Sequence, residues 1–207
     1  MLILTKPAKG EWTAKNSRFL SEIVTVTTPE EAREIWRIRK TQYDNGGHIV
    51  YAFMAGPQGN IMGCSDDGEP SGTAGQPIME ALKNSGLKET LVAVVRWFGG
   101  IKLGAGGLVR AYSSSASSAI KNAAKVRYEL CDVYALNLDF ARAKKFASVA
   151  ARSPFDIIGT EYGESVRFML TAEEGLKIDA LVADAIGGKP DLEKVETRFI
   201  ERPETEK

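Results

Sequence analysis

Residues 91–112 read LVAVVRWFGGIKLGAGGLVRAY. The run 91–98 is almost continuously apolar, with Arg96 its one charge, and reads as a buried strand. Gly99-Gly100 and then Gly104, Gly106 and Gly107 follow, a turn in which backbone N–H groups can come close to a ligand. From about Gly106 the apolar positions Leu108, Ala111, Tyr112, Ala116, Ala119, Ile120 and Ala123 recur along one helical stripe. Strand, glycine turn and helix in succession point to a mixed α+β fold. The start of such a helix, with unpaired N–H groups and the positive end of its dipole, favours a phosphate or carboxylate. The spacing matches neither familiar phosphate loop. Residues 104–109 lack the last glycine of the dinucleotide fingerprint, and Ala105-Gly106 stand where a Walker loop needs Lys-Ser/Thr. A tight connection whose glycines serve packing is the plain alternative.

Working outward, residues 12–15 and 18–27 read as strands around a turn at Asn16-Ser17. Thr28-Pro29-Glu30-Glu31 is a capping box, and the helix behind it carries Ala32, Ile35, Trp36 and Tyr43 on one side. Strands 49–55 and 60–64 flank Gly56-Pro57-Gln58-Gly59, and a helix over 74–85 closes at Gly86. Downstream, 128–139 alternates as a strand, and Asp139 caps a helix that Ser153-Pro154 ends. Strands 155–162 and 165–171 meet at Gly163-Glu164. Thr171 is expected to cap a second helix, through Leu176, Ile178, Leu181, Val182, Ala185 and Ile186 to Gly187-Gly188. Strand 192–200 and a fraying tail, 201–207, complete the chain. The order βαββαβ is the ferredoxin-like pattern. The expected domains are 1–127 and 128–207.

The 207 residues include 27 basic and 27 acidic side chains, one histidine and two cysteines. With 43% apolar and 26% charged residues, the composition is that of a globular chain and excludes wholesale disorder. Cys64 and Cys131 cannot build a disulfide framework, and no apolar run is long enough for a signal peptide or a membrane span. The expectation is a soluble, cytoplasmic protein with no membrane partner. Neutrality hides an asymmetry. Residues 1–127 carry 16 Lys+Arg against 11 Asp+Glu, a balance of +5, and the remainder carries 11 against 16, a balance of −5. Between Thr90 and Tyr128, six basic residues meet no acid. Such a stretch points to an anionic partner, an acidic face elsewhere in the fold, or a solvated helix surface.

A second dense segment is Cys64-Ser65-Asp66-Asp67-Gly68-Glu69-Pro70-Ser71-Gly72-Thr73-Ala74-Gly75. Asp66, Asp67 and Glu69 could hold a hard cation or accept hydrogen bonds from arginine. The segment fails as a calcium loop, because glycine comes third and no acid comes twelfth. It also reads as a turn into a helix capped by Ser71 or Thr73. Arg96, if buried, needs a carboxylate, and this loop could supply it. The lone His48 excludes a histidine-rich metal centre. A Cys64–His48 nucleophile pair has nothing to mark the thiol as activated. Ser113-Ser114-Ser115 reads as a polar helix face.

On these two segments, Ser65 to Gly75 and Arg96 to Tyr112, the sequence resembles the IMPACT/YigZ family. Lys15-Asn16-Ser17-Arg18-Phe19 and His48 also sit where the family pattern expects similar residues. The resemblance is strong over residues 10–125, with Trp97 replacing the more usual tyrosine. It implies a first domain like domain 2 of ribosomal protein S5, and a second like the last domain of a translocating elongation factor. It also implies a link to control of translation, with nucleic-acid binding inferred from fold. Eukaryotic members act on a stress kinase through an extra N-terminal domain. The family core starting near residue 10 leaves no room for that domain, so the kinase role is not expected here.

The leading expectation is a non-catalytic protein that binds RNA or the translation machinery. Its anion-binding residues would be Arg96, Lys102, Gly104, Gly106, Gly107 and Arg110, with Lys102 and Arg110 at one mouth. Asp66, Asp67 and Glu69 would position the basic groups, with no catalytic residue, no cofactor and no DNA-specific signal. No ribonucleoprotein-type aromatic motif is present, so readout by shape or backbone is expected. The alternative is a nucleotide- or phosphate-binding enzyme, by analogy with small-molecule kinases that share the S5-like domain. There Lys102 and residues 104–107 hold phosphate, while Asp66, Asp67 or Glu69 holds magnesium or serves as base.

Overall fold

A computed structural model describes residues 1–202 apart from Asp44 and Gly46. The chain forms two units, Met1–Arg127 and Tyr128–Arg202. The first contains β1 (Leu2–Leu4), β2 (Ala8–Ala14), β3 (Ser17–Thr25), α1 (Pro29–Gln42), β4 (His48–Ala55), β5 (Ile61–Ser65), α2 (Gly75–Ser85), β6 (Thr90–Trp97) and α3 (Ala105–Asn122). β7 (Lys125–Leu138) begins in this unit, where its first residues pair with β1, and continues into the second.

An antiparallel sheet runs in the order β2-β3-β6-β4-β5. The apolar run of β6 follows from its central place, with helices on both sides. Val92 and Val94 share a core with Ile78 and Leu82 of α2 and with Tyr112 and Ala116 of α3. Leu91 and Ala93 meet Ala32 and Ile35 of α1 on the opposite face. Strand side chains alternate between faces, so a sheet covered twice needs apolar residues at both parities. The neighbours are antiparallel, although a run of this kind is commonest in parallel sheets.

Local details depart from the sequence reading. The β2–β3 turn falls on Lys15-Asn16, both with positive φ, and Ala14 pairs with Ser17. Two left-handed residues suit the right-handed twist of a two-residue hairpin, which places the turn one position earlier than expected. Thr28 does cap α1, accepting from the Glu31 N–H, while Glu31 accepts in return from the Thr27 N–H. Ser115 is fully buried, and the Ser21 hydroxyl lies 2.6 Å from its carbonyl oxygen. Residues 113–115 are therefore not a uniform polar face.

In the second unit β7 is followed by α4 (Phe140–Ala150), β8 (Phe155–Tyr162), β9 (Val166–Glu173), α5 (Asp179–Ile186) and β10 (Asp191–Arg202). β7 lies between β9 and β10, with β8 beyond β9. Leu136, Phe146, Phe168, Leu170 and Val182 form its core. Asp139 caps α4 by accepting from the Arg142 N–H at 2.9 Å. Thr171 caps nothing: β9 continues to Glu173 opposite Cys131, and Thr171 is buried within it. α5 instead starts behind Ile178 with no side-chain cap among the described residues. Of the expected fraying tail, Glu201 and Arg202 belong to β10, and residues 203–207 lie outside those described. No described helix is long and apolar enough to cross a membrane.

Candidate functional site

Strand register places Trp12, Phe19, Arg96 and His48 in one transverse row, each opposite the next. Residues directly opposite in antiparallel strands share a face. Phe19 belongs to the core shared with α2 and α3, so the row lies beneath those helices.

Arg96 is 7% exposed and Glu69 8%. Arg96 Nη1 donates to both Glu69 oxygens, at 2.7 and 3.0 Å, and the Tyr112 hydroxyl donates to Oε1 at 2.6 Å. Burial, and then the bond to Glu69, hold the Tyr112 phenol far above its ordinary range, so it remains a donor. The guanidinium carbon of Arg96 lies 5.8 Å from the Phe19 ring centroid and 5.7 Å from that of Phe98. Its Nε is buried without a partner among the described residues.

Each acid of the 64–75 loop has a separate task. Asp66 accepts from the N–H groups of Gly72, Ala74 and Gly75 at 2.8, 3.1 and 2.8 Å, closing the N-terminus of α2. Burial works against this carboxylate, but the three bonds outweigh it and lower its pKa. Neither Ser71 nor Thr73 caps the helix; Ser71 is exposed and Thr73 donates to the Pro70 carbonyl. Asp67 accepts from the Ile49 N–H at 2.7 Å and pairs with Lys40 at 2.6 Å. Its carbonyl oxygen lies 2.8 Å from His48 Nδ1. Glu69 holds Arg96 and Tyr112. Among the described residues, no group of three or more His, Cys, Asp or Glu side chains is placed to hold a metal ion.

Two glycines shape the connection from β6 to α3. A Cβ on Gly99 would lie 2.0 Å from the Asn16 carbonyl carbon, so the turn passes directly against the β2–β3 hairpin. The Gly99 N–H donates to Ser17 Oγ there. Gly104 precedes α3 at φ 75°, a conformation open to glycine. Among the described residues no side chain caps α3, and its first turn carries no acid, so the N–H groups of its first residues are left for solvent or a ligand.

A cleft of about 370 Å³ opens at this helix start, lined by Arg96, Lys102, Gly104, Phe98, His48 and Glu69 among others. The structure thus brings Arg96, Lys102 and Gly104 together. Gly107 and Arg110 line a neighbouring groove instead, and Leu103 borders both. Gly106 lies toward Arg110, since a Cβ added to it would stand 3.8 Å from Nη1. The expected shared mouth for Lys102 and Arg110 is therefore two adjacent openings, because Arg110 leaves the helix on a different side from Ala105 and Leu108. Sequence reasoning missed Tyr112, Phe98 and Trp12. Tyr112 sits on the apolar stripe with nothing to advertise its hydroxyl. Phe98 ends an apolar run but is 60% exposed. Burial, then the charge of Asp66, raises the Cys64 thiol pKa, which works against its acting as a nucleophile.

The Impact N-terminal domain family matches residues 15–120. IMPACT family member YvyE of Bacillus subtilis is 35% identical over 190 residues, covering 91% of this chain and 88% of its own. IMPACT family member YigZ of Escherichia coli is 31% identical over 186 residues, covering 88% and 91%. A crystal structure of a hypothetical protein aligns over 94% of this chain and 97% of its own, with a TM-score of 0.59 and 29% identity.

Proposed function

The chain belongs to the IMPACT family, and from that premise we propose that it is a non-catalytic regulator of translation, binding RNA or a ribosome-associated partner in the cytoplasm. The same reading takes the first unit as S5 domain 2-like and the second as ferredoxin-like. The β10-β7-β9-β8 order and the βαββαβ sequence of elements support the second assignment.

The observation that carries the functional reading is the uncapped start of α3, opening beside Lys102 into a cleft whose floor contains Arg96. Backbone N–H groups and a lysine are suited to phosphate oxygens. The enzyme alternative has less support. Asp66, Asp67 and Glu69 are each occupied by internal partners, and a magnesium ion or a base role would have to displace them.

Lys102→Ala tests the proposal, since Lys102 is exposed and has no ion pair to lose among the described residues. The variant should melt with the wild type and bind RNA and ribosomal particles more weakly. Wild-type binding should weaken with salt at a log–log slope of about 1–3, as a few phosphate contacts require. Equal binding by the variant would remove this cleft as the site. A rise in melting temperature with ATP and magnesium, absent with RNA, would favour the enzyme instead.

A further inference from the structure

We propose that the RNA recognised is single-stranded, crossing the first turn of α3 with bases on Phe98 and Trp12 and phosphates on Lys102, Arg110 and Lys15. This rests on the RNA reading above and adds to it a strand state, the aromatics Phe98 and Trp12, and the cations Lys15 and Arg110. Beside the cleft lies a groove of about 350 Å³ lined by Trp12, Lys15, Leu103, Gly107 and Arg110 among others. Leu103 is common to both, so the two form neighbouring compartments along one path. Each has a large aromatic at its surface, Phe98 at 60% exposure in one and Trp12 at 44% in the other. Each also has an exposed cation, Lys102 in the first and Lys15 with Arg110 in the second.

The strand register sets the scale. Trp12 and Arg96 lie two strands apart in one row, about 10 Å at the ordinary strand spacing, and the Phe98 ring stands beside Arg96, its centroid 5.7 Å from the guanidinium carbon. The two aromatics are thus placed for nearby bases of one extended strand. Among the described residues, Glu69 is the one acid lining either compartment, and Arg96 and Tyr112 already engage it. The path therefore offers a phosphate chain no free carboxylate to repel it. Cationic grooves interleaved with aromatic faces suit unpaired bases, whereas a duplex keeps its base faces stacked inside and presents phosphates, sugars and base edges, none of which stacks on a ring. Arg96, more than nine-tenths buried with Nε unpartnered, adds a polar group at the floor of the same path. Trp12 lies on the edge strand β2, and its exposed ring is left available for such a partner.

The test uses the full chain with a short labelled oligouridylate, alone or annealed to its complement. Trp12→Ala and Phe98→Ala should each keep the wild-type melting temperature and bind the single strand about 5- to 100-fold more weakly. Duplex should bind more weakly than single strand and respond little to either change. Trp12→Phe, which keeps a stacking face, should retain most of the affinity while removing tryptophan quenching at that site. If Lys102→Ala weakens binding but Trp12→Ala and Phe98→Ala do not, the single-strand inference falls and the RNA reading stands. Equal affinity for duplex has the same consequence. Failure of the wild type to bind RNA overturns both.

Discussion

Glu69→Gln removes one charge from the first unit at almost constant volume. The side chains of Arg96 and Glu69 are 8% and 3% exposed, so the remaining guanidinium would stay charged where water scarcely reaches it. Breaking a buried pair from one side costs about 3–5 kcal/mol, much of it the penalty on the abandoned charge. The glutamine oxygen can still accept from Tyr112, so that bond contributes little to the loss. At about 4 °C per kcal/mol for a unit of this length, melting should fall by about 12–20 °C. Thermal and urea unfolding followed by circular dichroism would measure it. Arg96→Met in the Glu69→Gln background removes the stranded charge and should recover most of the loss, a coupling of at least about 2 kcal/mol. A loss below about 1 kcal/mol for Glu69→Gln, or strictly additive effects, would refute the view that these groups act as a buried pair.

Gly99→Ala should destabilise the chain by more than about 2 kcal/mol, because the new methyl meets backbone atoms of Asn16 and Ser17 that cannot move without shifting the β2–β3 hairpin; urea midpoints equal to wild type would contradict that close approach. In the second unit Asp132 is held at about 2 by its bond to Lys194, and further by Thr197 and the Gly175 N–H. A depressed carboxylate contributes its full stabilisation above its unfolded value, near pH 4, and loses it as pH falls towards about 2. Amide-exchange protection in β7 and β10 should therefore drop across that window, and Asp132→Asn should remove that pH-dependent component; an unchanged profile in the variant would assign it to another group.

What could be read in advance was what repeats. The α3 stripe from Leu108 to Ile120 repeats burial at helical spacing, and β6 is buried along nearly its whole length, so the apolar pattern alone located both. Contacts made by a single side chain over a distance leave no such trace. Asp66 caps a helix that begins nine positions later, and no local rule distinguishes it from Asp67 beside it, which binds β4 and α1 instead. Thr171 failed in the opposite way, since a threonine suited to capping stayed inside a strand whose pairing extends to Glu173. The separation of Lys102 from Arg110 was accessible from helical angles but requires knowing that α3 starts at Ala105. Together these contacts give each carboxylate of the 66–69 loop a partner inside the protein. Asp66, Asp67 and Glu69 all turn inward, to α2, to Lys40 and to Arg96. The start of α2 is thereby closed by the protein's own carboxylate, while the start of α3, in the same core layer, remains open to an anion from outside.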